Sequence, residues 1–293
     1  MARLKPASRE ADTQSMHIRR TLPFCLLLSV FVASQADAQF RPEQPTPGED
    51  YHVELGMNFW NPTPGIVIGS DSLRAVNATG VDLVQEFQIP DKRFREFRAA
   101  LRGGKSKLRI SHVDMAYNES AVLQRAIIVG GREFNVAADA TADLDWDLWR
   151  IGYEHDFVKT NRGLFGFIAE VNFSHVVADL RATSQGVTAV SLTDEKVPFP
   201  ALGVIARAYP HKNVGITFEW TGFKMPGFLA NKLTDTDNGE AHLRDLDISV
   251  TGSITRYFGI QGGYRLLTAD YTLDTDTGTF DMKGPYFGAL IRF

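Results

Sequence analysis

Cysteine is all but missing from this chain: Cys25 stands alone, inside the first 38 residues. Those residues read as a cleaved signal peptide. Arg19 and Arg20 precede an apolar run from Leu22 to Ala33, and Ala36-Asp37-Ala38 supplies a small-x-small cleavage site. Met16 would serve as an alternative start. Phe24, in front of Cys25, is too large for a lipidation signal. Cleavage after Ala38 leaves 255 residues without a disulfide, a thiol nucleophile or a thiolate metal site. Long apolar runs are missing too. Beyond Ala38 nothing approaches the ~18 uninterrupted apolar residues of a helical membrane span. A basic surplus is absent as well. Losing residues 1–38 removes five Lys/Arg and three Asp/Glu, so the net charge moves from −4 to −6. That balance argues against a nucleic-acid partner. Helical periodicity is nearly absent.

What the chain does have is alternation. Leu246, Ile248, Val250, Gly252 and Ile254 share one face of a segment whose other face is Asp247, Ser249, Thr251 and Ser253. Val214, Ile216, Phe218 and Trp220 oppose Gly215, Thr217, Glu219 and Thr221. The pattern predicts ten strands near 51–60, 93–102, 107–116, 143–158, 164–182, 199–209, 214–225, 243–256, 260–273 and 280–293. Short turns centre on Gly103-Gly104, Asn161-Arg162-Gly163, Pro210 to Asn213 and Tyr257-Phe258-Gly259. Long loops are expected at 61–92, 117–142, 183–198, 226–242 and 274–279. The length suits one domain, and residues 39–50, with Pro42, Pro45, Pro47 and Gly48, read as a flexible Pro-rich lead-in. Strands 143–158 and 164–182 exceed the ~9–11 residues that cross a hydrocarbon layer, so their hairpin is expected to project beyond it.

The last strand sets Phe287, Ala289, Ile291 and Phe293 on one face against Tyr286, Gly288, Leu290 and Arg292. An amphipathic strand ending on an aromatic resembles the closing strand of bacterial outer-membrane β-barrels. The plan of signal, paired strands and terminal Phe is similar to that of small single-chain outer-membrane β-barrel domain proteins. The resemblance implies an all-β fold, an antiparallel up-and-down transmembrane barrel of about ten strands over 51–293. It places 39–50 in the periplasm and the chain in the outer membrane of a Gram-negative envelope. The implied partners are outer-membrane lipid, lipopolysaccharide and, through Phe293, the barrel assembly machinery. The expected girdles are Tyr51, Phe157, Phe165, Tyr209, Tyr257, Phe258 and Phe293 at the short-turn end. Phe59, Trp60, Trp146, Trp149, Phe173 and Trp220 form the other.

Charge of both signs falls on the expected lumen face: Glu54, Glu96, Arg98, Arg109, Arg150, Glu154, Glu170, Arg207, Glu219, Arg265 and Arg292. Bidentate Arg–carboxylate pairs would fill a narrow barrel, or line a narrow path as in porin-like proteins. Lys92, Arg93 and Arg95 are placed to meet lipopolysaccharide phosphates. The leading function is a structural or narrow passive-permeation barrel with surface contact loops.

A second reading is a barrel-mouth hydrolase of omptin or lipid A deacylase type. Asp143, Asp145, His242 and Asp245 would stand in for the omptin groups at a spacing that departs from the family's. Ser174 and His175, being adjacent on a strand, point to opposite faces and make a poor nucleophile–base pair. A third is a soluble secreted barrel holding an apolar ligand, with its apolar face inside. No catalytic set, metal site or cofactor is expected. The acidic stretches 235–240 and 274–278 read as Asp/Asn/Gly turns.

Overall fold

The computed structural model describes residues 49–69, 81–129, 132–184, 187–225, 239–273 and 276–293. The expected signal peptide 1–38, nearly all of the expected lead-in 39–50 and the acidic residues 235–238 and 274–275 lie outside them. Strands β1 (Val53–Trp60), β2 (Thr63–Gly69) and β3 (Val81–Asp82) precede one short helix, α1 (Leu83–Phe87). Then come β4 (Phe94–Gly103), β5 (Ser106–Val122), β6 (Ile127–Val129), β7 (Arg132–Phe134), β8 (Asp139–Thr160) and β9 (Gly163–Ser184). The chain ends with β10 (Val187–His211), β11 (Val214–Lys224), β12 (Gly239–Ser253), β13 (Phe258–Leu273) and β14 (Asp276–Arg292).

Ten of these close a barrel in the order β1-β4-β5-β8-β9-β10-β11-β12-β13-β14. Every pairing is antiparallel, and the seam β14–β1 runs from Glu54↔Arg292 to Trp60↔Tyr286. Phe293 N donates to Val53 O at 2.8 Å and Val53 N to Phe293 O at 3.0 Å, so the last residue finishes the ladder. A closed barrel leaves no edge along this length, and its ladders carry register shifts at Asp156/Val158 and Ala208/His211.

Strand extends into the expected loops 61–92, 117–142 and 183–198. Residues 63–69 continue β1 along β14 in the same register, Thr63↔Lys283 following Trp60↔Tyr286. Asn61 N donates to Pro285 O, so the neighbouring Pro62 and Pro64 turn their donor-less nitrogens away from β14, where the ladder needs nothing from them. Gly284 lets the chain through this corner, since a Cβ there would sit 2.2 Å from Asn61 O. Residues 183–184 and 187–198 also pair, from Ser184↔Val187 down to Val176↔Glu195 and beyond. The β8–β9–β10 group is therefore 22, 22 and 25 residues long and projects well past the rest of the barrel.

Strand β8 shows how the barrel is built. Toward the long-loop end its buried face is Ala140, Ala142, Leu144, Trp146 and Leu148, and its outer face is Asp139, Thr141, Asp143, Asp145 and Asp147. From the next pair the chemistry changes sides. The buried face becomes Arg150, Gly152, Glu154 and Asp156, while Trp149, Ile151, Tyr153 and Phe157 face out, Trp149 at 45% exposure. Strand β9 changes at the same height, with Phe173 out below His175. Strand β5 does so between Ile110 and His112, and β12 between Arg244 and Leu246.

The short-turn half thus carries an apolar belt outside, including Leu55, Phe97, Leu101, Ile216, Phe218, Ile248 and Ile260, all exposed. A continuous belt of this kind on a closed barrel is the surface a bilayer requires, and water would penalise it heavily. The soluble-barrel reading, which buries the apolar face, fails in this half. Above the belt the interior is a packed apolar core. Trp60, Met115, Tyr117, Leu148, Trp146, Leu267, Phe280 and Met282 meet Leu83 and Phe87 of α1, which packs on β2, β5 and β8. Asp82 caps α1 by accepting from Gln85 N at 3.1 Å.

Four expected girdle aromatics point inward: Tyr51, Trp60, Trp146 and Tyr209. Tyr51 precedes the first strand, Trp60 and Trp146 sit on the inward parity, and Tyr209 turns to a carboxylate inside. Phe157, Phe165, Tyr257, Phe258 and Phe293 at one end are exposed. At the other end Trp149, Phe173 and Trp220 are exposed as well, and Phe59 stacks on Phe287 at 5.4 Å between ring centroids.

Candidate functional site

The charged interior of the short-turn half is the one concentration of functional groups among the described residues. It is built in layers, because inward positions on neighbouring strands fall at matching heights. The top layer is a quartet. Arg265 donates to Asp245 (Nε at 2.9 Å, Nη2 at 2.6 Å) and to Glu96 (Nη1 at 2.9 Å). Arg150 donates to the same two carboxylates, at 2.5 and 3.1 Å. Asn58 adds a bond to Glu96 at 3.1 Å, and the Arg265 guanidinium lies 5.0 Å from the Trp60 ring centroid. All four charged side chains are buried, two of each sign, so the layer is neutral; Arg265 grips Asp245 bidentately, and Arg150 divides its fork between the two carboxylates.

Below the quartet the walls draw apart. Arg98 bridges Glu96 at 2.8 Å and Asp247 at 3.0 Å, and the Tyr286 hydroxyl also donates to Asp247 at 2.7 Å. Arg109 holds both oxygens of Glu219, at 2.7 and 2.8 Å, and reaches Glu154 at 3.3 Å. Thr221 and Asn172 donate to Glu170. Glu54 takes Arg292 at 2.6 Å beside the seam. Between these groups lies a cavity of about 100 Å³, faced by Arg98, Arg109, Arg207, Glu54 and Glu219. Leu164, Ile168 and Ile205 form a small apolar cluster in this half.

At the short-turn mouth Lys107 pairs with Glu154 at 2.7 Å, and Arg102 with Asp156 at 3.3 Å. Glu49 is also there. Its carboxylate accepts from Arg102, Arg207 and the Tyr209 hydroxyl.

The structure brings all eleven lumen residues named from the sequence into one interior, and adds Glu49, Arg102, Lys107, Asp156, Asp245 and Asp247. Five of the additions were within reach of the alternation. Arg102 shares parity with Glu96 and Arg98, Lys107 with Arg109, Asp156 with Glu154, and Asp245 and Asp247 with Ser249. Glu49 precedes every strand, and nothing in its own sequence context points inward.

The groups named for a hydrolase do not converge. Asp143 and Asp145 lie on the outer wall of β8, and His242 on the outer wall of β12, whereas Asp245 is buried in the quartet. Ser174 is inside, accepting from the Trp146 indole at 2.8 Å, while His175 is outside against Asp194 at 2.8 Å. An outer His112–Asp147 pair at 2.8 Å stacks on Trp149, with no hydroxyl or thiol in its hydrogen bonds among the described residues. No group of three or more His, Cys, Asp or Glu among the described residues has metal-holding geometry.

Of the basic residues placed outside, Lys92 donates to Ala116 O, and Arg93 lies over the Phe287 ring at 5.5 Å. Arg95 is exposed across from Phe59.

No protein-family model matches this chain, and no curated protein does. Among solved structures, the outer membrane protease OmpT of Escherichia coli is similar over 87% of this chain and 100% of its own, at 7% identity and a TM-score of 0.48. The translocator domain of the autotransporter NalP of Neisseria meningitidis covers 96% and 100%, at 8% identity and a TM-score of 0.39. The toluene transporter TodX of P. putida covers 86% and 93%, at 8% identity and a TM-score of 0.37.

Proposed function

We propose that this chain is an integral barrel of the bacterial outer membrane with a structural or narrow passive-permeation role, and that in the state described its lumen is closed. The observation that carries this reading is the pair of seals stacked across the interior. The neutral quartet of Glu96, Asp245, Arg150 and Arg265 lies under an apolar core that includes Trp60, Met115 and Trp146. An interior of this width is filled by side chains, and a permeant would have to break buried ion pairs to pass.

The outer wall supports the placement. The apolar belt faces lipid, Phe293 offers the assembly machinery a finished strand end, and Lys92, Arg93 and Arg95 sit at the upper rim, where lipopolysaccharide phosphates would lie.

Planar-bilayer recording of the refolded, heat-modifiable barrel tests the closed lumen. The expected record is silent for the native chain and shows discrete openings once Arg150 and Arg265 are both changed to Ala. Steady steps from the native chain, altered in selectivity by Arg265→Ala, would instead establish the permeation role.

A further inference from the structure

The side chain of Glu49 is only 2% exposed although it precedes the first strand and belongs to no part of the ladder. One of its oxygens accepts from Arg207 and from the Tyr209 hydroxyl, the other from Arg102, and the Lys107 ammonium stands 3.8 Å away. Arg102 and Lys107 have carboxylates of the wall as well, Asp156 and Glu154. Arg207 has none. Among the described residues Glu49 is its sole ion pair, and its Nε donates to the Thr217 hydroxyl at 2.9 Å. The wall therefore presents three cations and two carboxylates at the mouth, leaving one positive charge over. A buried charge without a partner costs several kcal/mol. The residue that supplies the missing charge is carried on the segment before the barrel, two positions from Tyr51, whose ring lies between the guanidiniums of Arg102 and Arg292 at 5.4 and 5.2 Å.

We propose that this mouth is a carboxylate-binding site, that Glu49 is its tethered occupant, and that a small free monocarboxylate takes the seat when Glu49 leaves it. The chemistry selects one negative charge. Glu154 and Asp156 already neutralise two of the three cations, so a dianion would bring a second charge against them without a partner. Donors on both oxygens, Arg207 and the Tyr209 phenol on one and Arg102 on the other, suit the flat, two-oxygen carboxylate. The cavity above shares Lys107, Arg207 and Tyr209 with the mouth, which gives a free ligand room to enter.

Chemical rescue tests this without reference to conductance, so it stands or falls apart from the closed-lumen reading. Refolded Glu49→Ala should melt several degrees below the native barrel. Acetate or formate at tens of millimolar should restore most of that loss at fixed ionic strength, chloride should not, and sulfate should do less than acetate. Native protein should not respond. Glu49→Gln fills the seat without charge and should lose stability without being rescued. If Glu49→Ala refolds only with an anion present, its refolding yield against acetate reads the same quantity. Native-like melting of Glu49→Ala, or an equal response to acetate and chloride in melting or yield, would overturn the proposal.

Discussion

Residues 139–147 and 149–157 of β8 are one continuous strand, with the same pleat and the same neighbours, yet they solve opposite problems. In the upper stretch the outward side chains are Asp and Thr and the inward ones Ala, Leu and Trp, as in a barrel standing in water. In the lower stretch the outward ones are aromatic and aliphatic and the inward ones Arg, Glu and Asp. The backbone is indifferent to this exchange, because a strand offers its two faces equally. Each face's solvent decides. Where the outside is water, the apolar residues go in and pack. Where the outside is hydrocarbon, the apolar residues are as well off outside, and the interior must hold polar groups that neutralise one another. The level at which β5, β8, β9 and β12 all change over marks the upper limit of the belt.

The comparison can be broken most severely at the boundary. Changing Arg265 to Ala leaves Asp245 and Glu96 sharing Arg150, with one positive charge too few in a buried layer, and strips Trp60 of its cation. A loss of about 3–5 kcal/mol is expected in urea unfolding of the refolded barrel. Trp146→Ala, one step above the boundary on the inward face, should cost a similar ~3–5 kcal/mol through the cavity it leaves in the apolar core.

Outward substitutions should separate the two stretches by height alone. Ile151→Arg places a cation on the lipid face just below the upper limit of the belt and should cost about 1–2 kcal/mol. Thr141→Arg, on the same face of the same strand above the belt, should stay within ~0.5 kcal/mol of the native chain. Equal costs for these two would mean that both positions face the same medium. The smallest expected effect is Asp145→Asn, which removes one exposed charge and should leave the midpoint unmoved within error.

The lower stretch was the more legible of the two. Alternation over 149–156 and 246–254 reads directly as a two-faced strand, and charges recurring on one parity read as the lumen. The upper stretch hides its strands. Residues 183–198 mix Thr, Asp, Glu, Lys and Pro, with Thr188, Asp194, Lys196 and Pro198 exposed, and such a composition resembles a loop. Pro62 and Pro64 look like strand breakers, and only the pairing shows that their nitrogens face away from β14. Trp60 and Trp146 look like girdle residues because tryptophan favours interfaces, whereas their parity puts them in the upper core. Glu49 was out of reach for a different reason. It enters the barrel from outside the ladder, so no periodicity governs where its side chain goes.

The chain's four tryptophans divide evenly between the two faces, which makes the inversion directly measurable. Trp149 and Trp220 face out at 45% and 43% exposure, while Trp60 and Trp146 are buried at 1% and 3%. In single-tryptophan chains, with the other three changed to Phe and reconstituted in vesicles of brominated phospholipid, fluorescence from Trp149 and Trp220 should be strongly quenched. That from Trp60 and Trp146 should be nearly untouched. Quenching of Trp146 as deep as that of Trp149 would contradict the change of faces along β8.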